Sequence, residues 1–243
     1  MEALTRSQCR ALTILLRLGG KAGASKVEEL YGSKDAYRVL KELIELGLVE
    51  RVDRRYQLTV DGAKMAARCY LMDEDLNREA TEIVIEYMRP ALRLRRIRYV
   101  FKPEVLRSLV GSLLKTLAND DELFQKAEFS YNIGEDYRRA IVSLLRSMLK
   151  EISDENKTDI IFRWIKNIPE DVIDHVAKWN VEVILDSLIA YSKGWFTWFK
   201  SFRSPEIRET VIFILLVMLF ILFIISYIFC LPAPLYPITR LSP

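Results

Sequence analysis

A single histidine, three scattered cysteines and no glycine-rich phosphate loop leave this chain of 243 residues poor in catalytic chemistry. His175 sits between Asp174 and Val176 without a serine, cysteine or carboxylate pair in a recognisable constellation, so it reads as structural or exposed and no enzymatic activity is expected. The absence of a GxxxxGK motif argues against an ATPase. Cys9, Cys69 and Cys230 form no CxxC pair, which points to neither a disulfide framework nor a zinc site. No metal or cofactor is expected, and a reducing cytoplasm fits. The side chains best suited to recognition are hydrogen-bond donors: Lys34, Tyr37, Arg38 and Lys41 on one segment, and Arg51, Arg54 and Arg55 on the next. An arginine fork can pair with a base edge, and Tyr or Lys can reach bases or phosphates. The same residues also serve as a solvated face, and the arginines as solubilising charge.

The elements that carry these donors follow from hydrophobic period and punctuation. Ser7–Leu18 places Leu12, Leu15 and Leu16 on one side, as an amphipathic helix does, and Gly19-Gly20 ends it. After a Lys21–Ala24 connection, Ser25 can cap a brief helix through Tyr31, closed by Gly32. Ser33 then caps a third helix, Lys34–Leu46, which buries Ala36, Val39, Leu40, Leu43 and Ile44 and turns Lys34, Tyr37, Arg38 and Lys41 outward. Gly47 stops it. Leu48–Val52 and Tyr56–Val60 read as two strands joined by the polar tip Asp53-Arg54-Arg55, and Thr59 or Asp61 caps a fourth helix from Gly62.

Three short helices, a charged hairpin and a further helix make a winged helix-turn-helix order. Leu40–Ala66, LKELIELGLVERVDRRYQLTVDGAKMA, resembles the recognition-helix end and wing of small archaeal and bacterial winged-helix transcription regulators of the MarR and ArsR kind. In those families a glycine at the place of Gly47 turns the helix into the wing, and a leucine at the place of Leu58 plugs the core. The resemblance implies double-stranded DNA as a partner, with the third helix in the major groove and the wing arginines on phosphate or in the minor groove. Charge agrees with that placement: residues 1–70 hold 13 Lys and Arg against 9 Asp and Glu, whereas residues 71–200 hold 20 against 22. Glu42 and Glu45 lie at the far end of the third helix, away from the turns that make base contacts.

Beyond the N-terminal domain the pattern is helical. Leu76, Ile83 and Tyr87 share a helix that Pro90 should end. Heptad-spaced stripes follow at Leu106, Val110, Leu113 and Leu117 and again at Tyr137, Ile141, Leu144 and Met148. Further helices are expected over Lys157–Ile168 and Pro169–Tyr191. The basic run 89–102, with six cations and no acid, could flank DNA, meet anionic lipid or cover a bundle.

Val211–Leu231 contains no charge, Pro or Gly and is long enough to cross a bilayer at ~1.5 Å per residue against a core of about 30 Å. Lys193, Lys200, Arg203 and Arg208 precede it and only Arg240 follows, which predicts a cytoplasmic N-terminal side. Trp195, Trp198, Lys200 and Arg203 suit the membrane interface. The expected fold class is therefore mainly α, with a winged helix domain at 1–72, a helical bundle or dimerisation region at 73–203, a single transmembrane helix at 210–231 and a short extracytoplasmic tail at 232–243. The corresponding function is a homodimeric, membrane-tethered DNA-binding transcription regulator, localised as a single-pass protein of the cell membrane with the lipid bilayer as second partner. A membrane-anchored scaffold that docks a protein through the winged helix is the alternative.

Overall fold

A computed structural model describes residues 4–87, 89 and 101–194. Thr5 starts helix α1 (Arg6–Arg17) with a capping box: its hydroxyl accepts from the Gln8 N–H and the Gln8 side chain accepts from the Thr5 N–H. Ala11, Leu12, Leu15 and Leu16 face inward and are fully buried. Strand β1 (Lys21–Gly23) follows, then α2 (Ala24–Tyr31) and α3 (Ala36–Glu45). A hairpin of β2 (Val49–Val52) and β3 (Arg55–Leu58) completes an antiparallel sheet in the order β1-β3-β2, with Ala22 opposite Tyr56 and Val49 opposite Leu58.

Several local expectations are corrected. Lys21–Gly23 is a strand rather than a connection, because its hydrogen-bond partner, β3, lies far along the sequence and three residues show no period. The N-cap of α2 is Gly23, not Ser25. Ser33 caps no helix: its hydroxyl accepts from the Asp35 N–H at 3.1 Å in a tight turn, so Lys34 precedes α3. Ile44 stays exposed. The hairpin has a two-residue tip, Asp53-Arg54, with φ of 50° and 63°.

Thr59 caps α4 (Val60–Met72), its hydroxyl accepting from the Gly62 N–H at 2.9 Å and donating back to the Gly47 carbonyl at 2.9 Å. A Cβ on Gly62 would fall 1.8 Å from the Leu48 carbonyl oxygen, so only glycine lets α4 start against the end of α3. At Asp73 the chain turns from α4 into α5 (Glu74–Tyr87), and the Asp73 carboxylate accepts from the N–H groups of Asp75 and Leu76. The body continues with α6 (Pro103–Ala118), α7 (Asp121–Lys126), α8 (Tyr137–Lys150), α9 (Asp154–Lys166), α10 (Glu170–Ile173) and α11 (Lys178–Ser192). The helix expected over Pro169–Tyr191 is thus two helices, parted at residues 174–177.

One continuous core runs from Leu12, Leu40 and Tyr70 to Leu113, Leu145 and Trp164, and the described residues fall in a single compact unit. The boundary expected at residue 72 falls within this unit. Trp164 illustrates how the body satisfies its polar atoms: its indole N–H donates to the Leu109 carbonyl at 3.0 Å and the Ser112 hydroxyl at 3.1 Å. On the N-terminal side, the Gly134 N–H donates to the Gly19 carbonyl, and the Lys64 ammonium donates to the Ala127 carbonyl, at 2.8 and 2.7 Å.

Among the described residues no helix is long and apolar enough to cross a membrane, which corrects the expected fold class to mainly helical with a small three-stranded sheet. The longest described helix, α6, has 16 residues, roughly 24 Å, short of a bilayer core of about 30 Å, and it carries Glu104, Arg107 and Lys115. The expected single-pass placement in the cell membrane with a cytoplasmic N-terminal side does not stand on this fold. The run Val211–Leu231, the 232–243 tail, the interface residues Trp195, Trp198, Lys200 and Arg203, and positions 90–100 of the basic run lie outside the described residues.

Candidate nucleic-acid interface

The candidate donors divide between α2 and α3, two helices joined by a turn, and the β2–β3 hairpin. Gly32 closes α2 in the left-handed region, and the chain turns through residues 32–35 into α3. Lys34 lies in that turn, and Tyr37, Arg38 and Lys41 follow on the exposed side of α3. The opposite side buries Ala36, Val39, Leu40 and Leu43. Tyr37 is 47% exposed, large for an aromatic ring with no covering element.

Arg38 is not a free cation. Its guanidinium donates to the Glu42 carboxylate at 3.1 Å and lies 3.9 Å from Asp35. Glu42 in turn accepts from the Gln8 amide at 3.2 Å, so a line of polar contacts runs from α1 through Glu42 to Arg38. Because the Arg38 side chain is 68% exposed, its ion pairs hold it weakly, at about 0–1 kcal/mol. By contrast Lys34, Lys41, Arg51, Arg54 and Arg55 make no ion pair among the described residues, and all are exposed.

The strand register sorts the hairpin arginines. Arg51 stands opposite Tyr56, on the face that begins with the buried pair Val49 and Leu58. Arg55 stands on the other face with Glu50 and Gln57, whose side chains hydrogen-bond at 2.8 Å. Arg54 occupies the tip. The three arginines therefore do not form one patch: Arg54 and Arg55 mark the end of the hairpin, and Arg51 belongs to its underside. Two residues in succession at positive φ form the kind of turn that matches hairpin twist, usually filled by Asn or Gly; Arg54 tolerates it at a cost of roughly 1–2 kcal/mol.

A second polar constellation lies between α1, α4, α5 and α8, where the sequence offers no motif. One Glu79 carboxylate oxygen accepts from the Tyr70 hydroxyl at 2.5 Å and from Arg17; the other accepts from the Tyr137 hydroxyl at 2.6 Å. Burial pushes the Glu79 carboxyl up, but the hydrogen bonds from Tyr137 and Tyr70 and the Arg17 charge outweigh it and hold the group below its ordinary range. Burial, reinforced by the bond to Glu79, pushes the Tyr70 hydroxyl well above the usual tyrosine range. The arrangement fixes four helices against one another; with every member paired, it offers no open reaction site. The only signal for it in sequence is the mixture of Arg17, Tyr70, Glu79 and Tyr137 on otherwise apolar stripes.

The expectation for the cysteines is corrected. Cys9 of α1 and Cys69 of α4 form a disulfide with their Cα atoms 5.4 Å apart. Spacing along the chain gave no hint of it, since the pairing arises only when the two helices pack. His175 is exposed in the link between α10 and α11. Comparison with protein-family models, curated proteins and solved structures yields no match for this chain.

Proposed function

We propose that the chain is a winged-helix DNA-binding protein, acting as a transcription regulator by occupying duplex DNA, and not as an enzyme. The order α1-β1-α2-α3-β2-β3, with β1 in the sheet between helices, is that of a winged helix, and α2–α3 supplies its helix-turn-helix. The observation that carries the reading is the set of exposed cations without an ion pair among the described residues, Lys34 in the turn before α3, Lys41 on α3, and Arg54 and Arg55 at the hairpin end. Tyr37, Arg38 and Lys41 contact base edges, and the hairpin end contacts phosphate. A homodimer formed through helices after residue 62 completes the reading, because two copies double the length of site recognised; the exposed Phe162 and Trp179 on the body favour it.

One observation favours a second reading, a protein-docking module. Leu30 and Leu46 are exposed on α2 and at the end of α3, and Glu28, Glu29, Glu45 and Glu50 lie among the cations. A mixed surface of that kind suits a protein partner. Fluorescence anisotropy of the full chain with duplex DNA over a range of salt separates the two. DNA binding gives affinity that falls steeply with salt, by a logarithmic slope of about one unit per phosphate neutralised; a docking module gives no measurable duplex binding.

A further inference from the structure

The disulfide does not lie sealed in the core. It forms part of the wall of a groove of about 540 Å³ between α1 and the α4–α5 turn, lined also by Arg6, Arg10 and Arg17. Cys69 is 3% exposed, whereas Cys9 is only half-buried, so Cys9 is the more accessible end of the bond. Arg10 stacks on Tyr31 with its guanidinium carbon 5.2 Å from the ring centre, which leaves its charge on the groove side of α1. Arg17 is already paired with Glu79, which leaves Arg6 and Arg10 facing the two carboxylates on the same groove, Asp73 and Asp75, the first of them engaged with the first turn of α5. Access to a sulfur and neighbouring cations, here Arg6 and Arg10 on either side of Cys9 along α1, favour attack of a thiolate on a disulfide.

We propose that Cys9–Cys69 is a thiol–disulfide exchange site, with small thiols or dithiols as its co-reactant, and that its oxidation state controls the recognition helix. A thiolate attacks Cys9 Sγ, the bond between Cys9 and Cys69 breaks, and Cys69 leaves as a thiolate while Cys9 is held as a mixed disulfide. A second thiolate attacks the reagent's sulfur in that mixed disulfide and releases Cys9. The sum is two electrons and two protons: the protein disulfide becomes two thiols, and two reagent thiols become one disulfide. The link to recognition is Gln8, next to Cys9 on α1, whose amide donates to Glu42, which accepts in turn from Arg38. Oxidation ties this end of α1 to α4 and so fixes where Gln8 meets α3; reduction releases the tie. This last step rests on the DNA-binding reading, whereas exchange at Cys9 does not.

The test uses the chain of 243 residues carrying Cys230→Ser, which leaves Cys9 and Cys69 as its two cysteines. It is equilibrated without denaturant in oxidised or reduced dithiothreitol, quenched with a maleimide under denaturing conditions and weighed. No adducts after oxidation and two after reduction are expected. Adding Cys69→Ser should let oxidised glutathione trap Cys9 as a mixed disulfide in the native protein, while Cys9→Ser should leave Cys69 unmodified. A pair that interconverts only in denaturant, or Cys69 reacting as fast as Cys9, overturns the exchange site; native interconversion of the parent protein decides the matter even where a variant fails to fold. Duplex affinity is then compared between the two forms. A difference of about fivefold or more supports control of α3, equal and measurable affinity overturns that control, and an absence of binding in both forms overturns the DNA-binding reading while leaving exchange intact.

Discussion

The Gln8 amide of α1 donates to the Glu42 carboxylate of α3 at 3.2 Å, and the same carboxylate accepts from Arg38 at 3.1 Å. Arg38, which the proposed reading sets against a base, is therefore held by a neighbour that is itself held by another helix. Glu42→Gln removes a negative charge from the face offered to phosphate and frees Arg38. Duplex affinity should rise by about 0.3–1 kcal/mol, the size of an exposed ion pair on a helix, with little change in thermal stability. Anisotropy and a melting curve on the same sample check this, and weaker binding would count against Arg38 facing DNA.

The hairpin tip offers an independent test of strain. Arg54→Gly should stabilise the fold by up to roughly 1 kcal/mol, because glycine adopts the positive φ of 63° without the clash a Cβ brings. The same change removes a cation and should weaken duplex binding. Stability and binding thus move in opposite directions, measured by chemical denaturation and by anisotropy.

Gly62→Ala should be among the most damaging small substitutions in the chain. Its Cβ would fall 1.8 Å from a backbone oxygen, so α4 must shift from the end of α3, taking the Thr59 cap with it. A loss of about 2 kcal/mol or more is expected from overpacking and a disturbed cap, read from the denaturation midpoint.

Acid should loosen the joint at Glu79. Its folded-state pKa is depressed, so its contribution to stability is fully present above its ordinary value of 4.5 and is lost as the pH falls through the lower folded value. Stability below pH 4.5 should therefore fall less steeply for Glu79→Gln than for the parent protein, and the variant should be less stable at neutral pH by about 1–2 kcal/mol for the charge-assisted hydrogen bonds removed. Parallel pH profiles of the two proteins would show that Glu79 does not carry this load.

Much of the first seventy residues was legible because each element is local. The spacing of Leu12, Leu15 and Leu16 fixes one helical face, Val39, Leu40 and Leu43 fix another, and Thr59 caps α4 from within its own neighbourhood. What was not legible depends on partners distant in sequence. Strand β1 exists only because β3 returns beside it, the disulfide exists only because α1 lies on α4, and Arg17, Tyr70, Glu79 and Tyr137 meet only after four helices pack. The break at 174–177 lacks glycine and proline, the residues that punctuate a helix most strongly. The apolar run at 211–231 lies outside the described residues.

The central claim, that α3 and the hairpin end bind duplex DNA in different ways, is tested most directly by comparing two variants of the full chain across salt concentrations. Arg38→Ala should cost about 1–3 kcal/mol on a preferred site drawn from DNA upstream of its own gene and flatten discrimination there. Arg54→Ala with Arg55→Ala should weaken binding to all duplexes alike and lower the salt slope by roughly one unit for each phosphate that is no longer neutralised. These side chains are exposed, apart from the buried Val39, Leu40 and Leu43, so circular dichroism should be unchanged. No duplex binding by the parent protein at low salt, or binding by both variants equal to the parent, would contradict the DNA-binding reading and favour the protein-docking module instead.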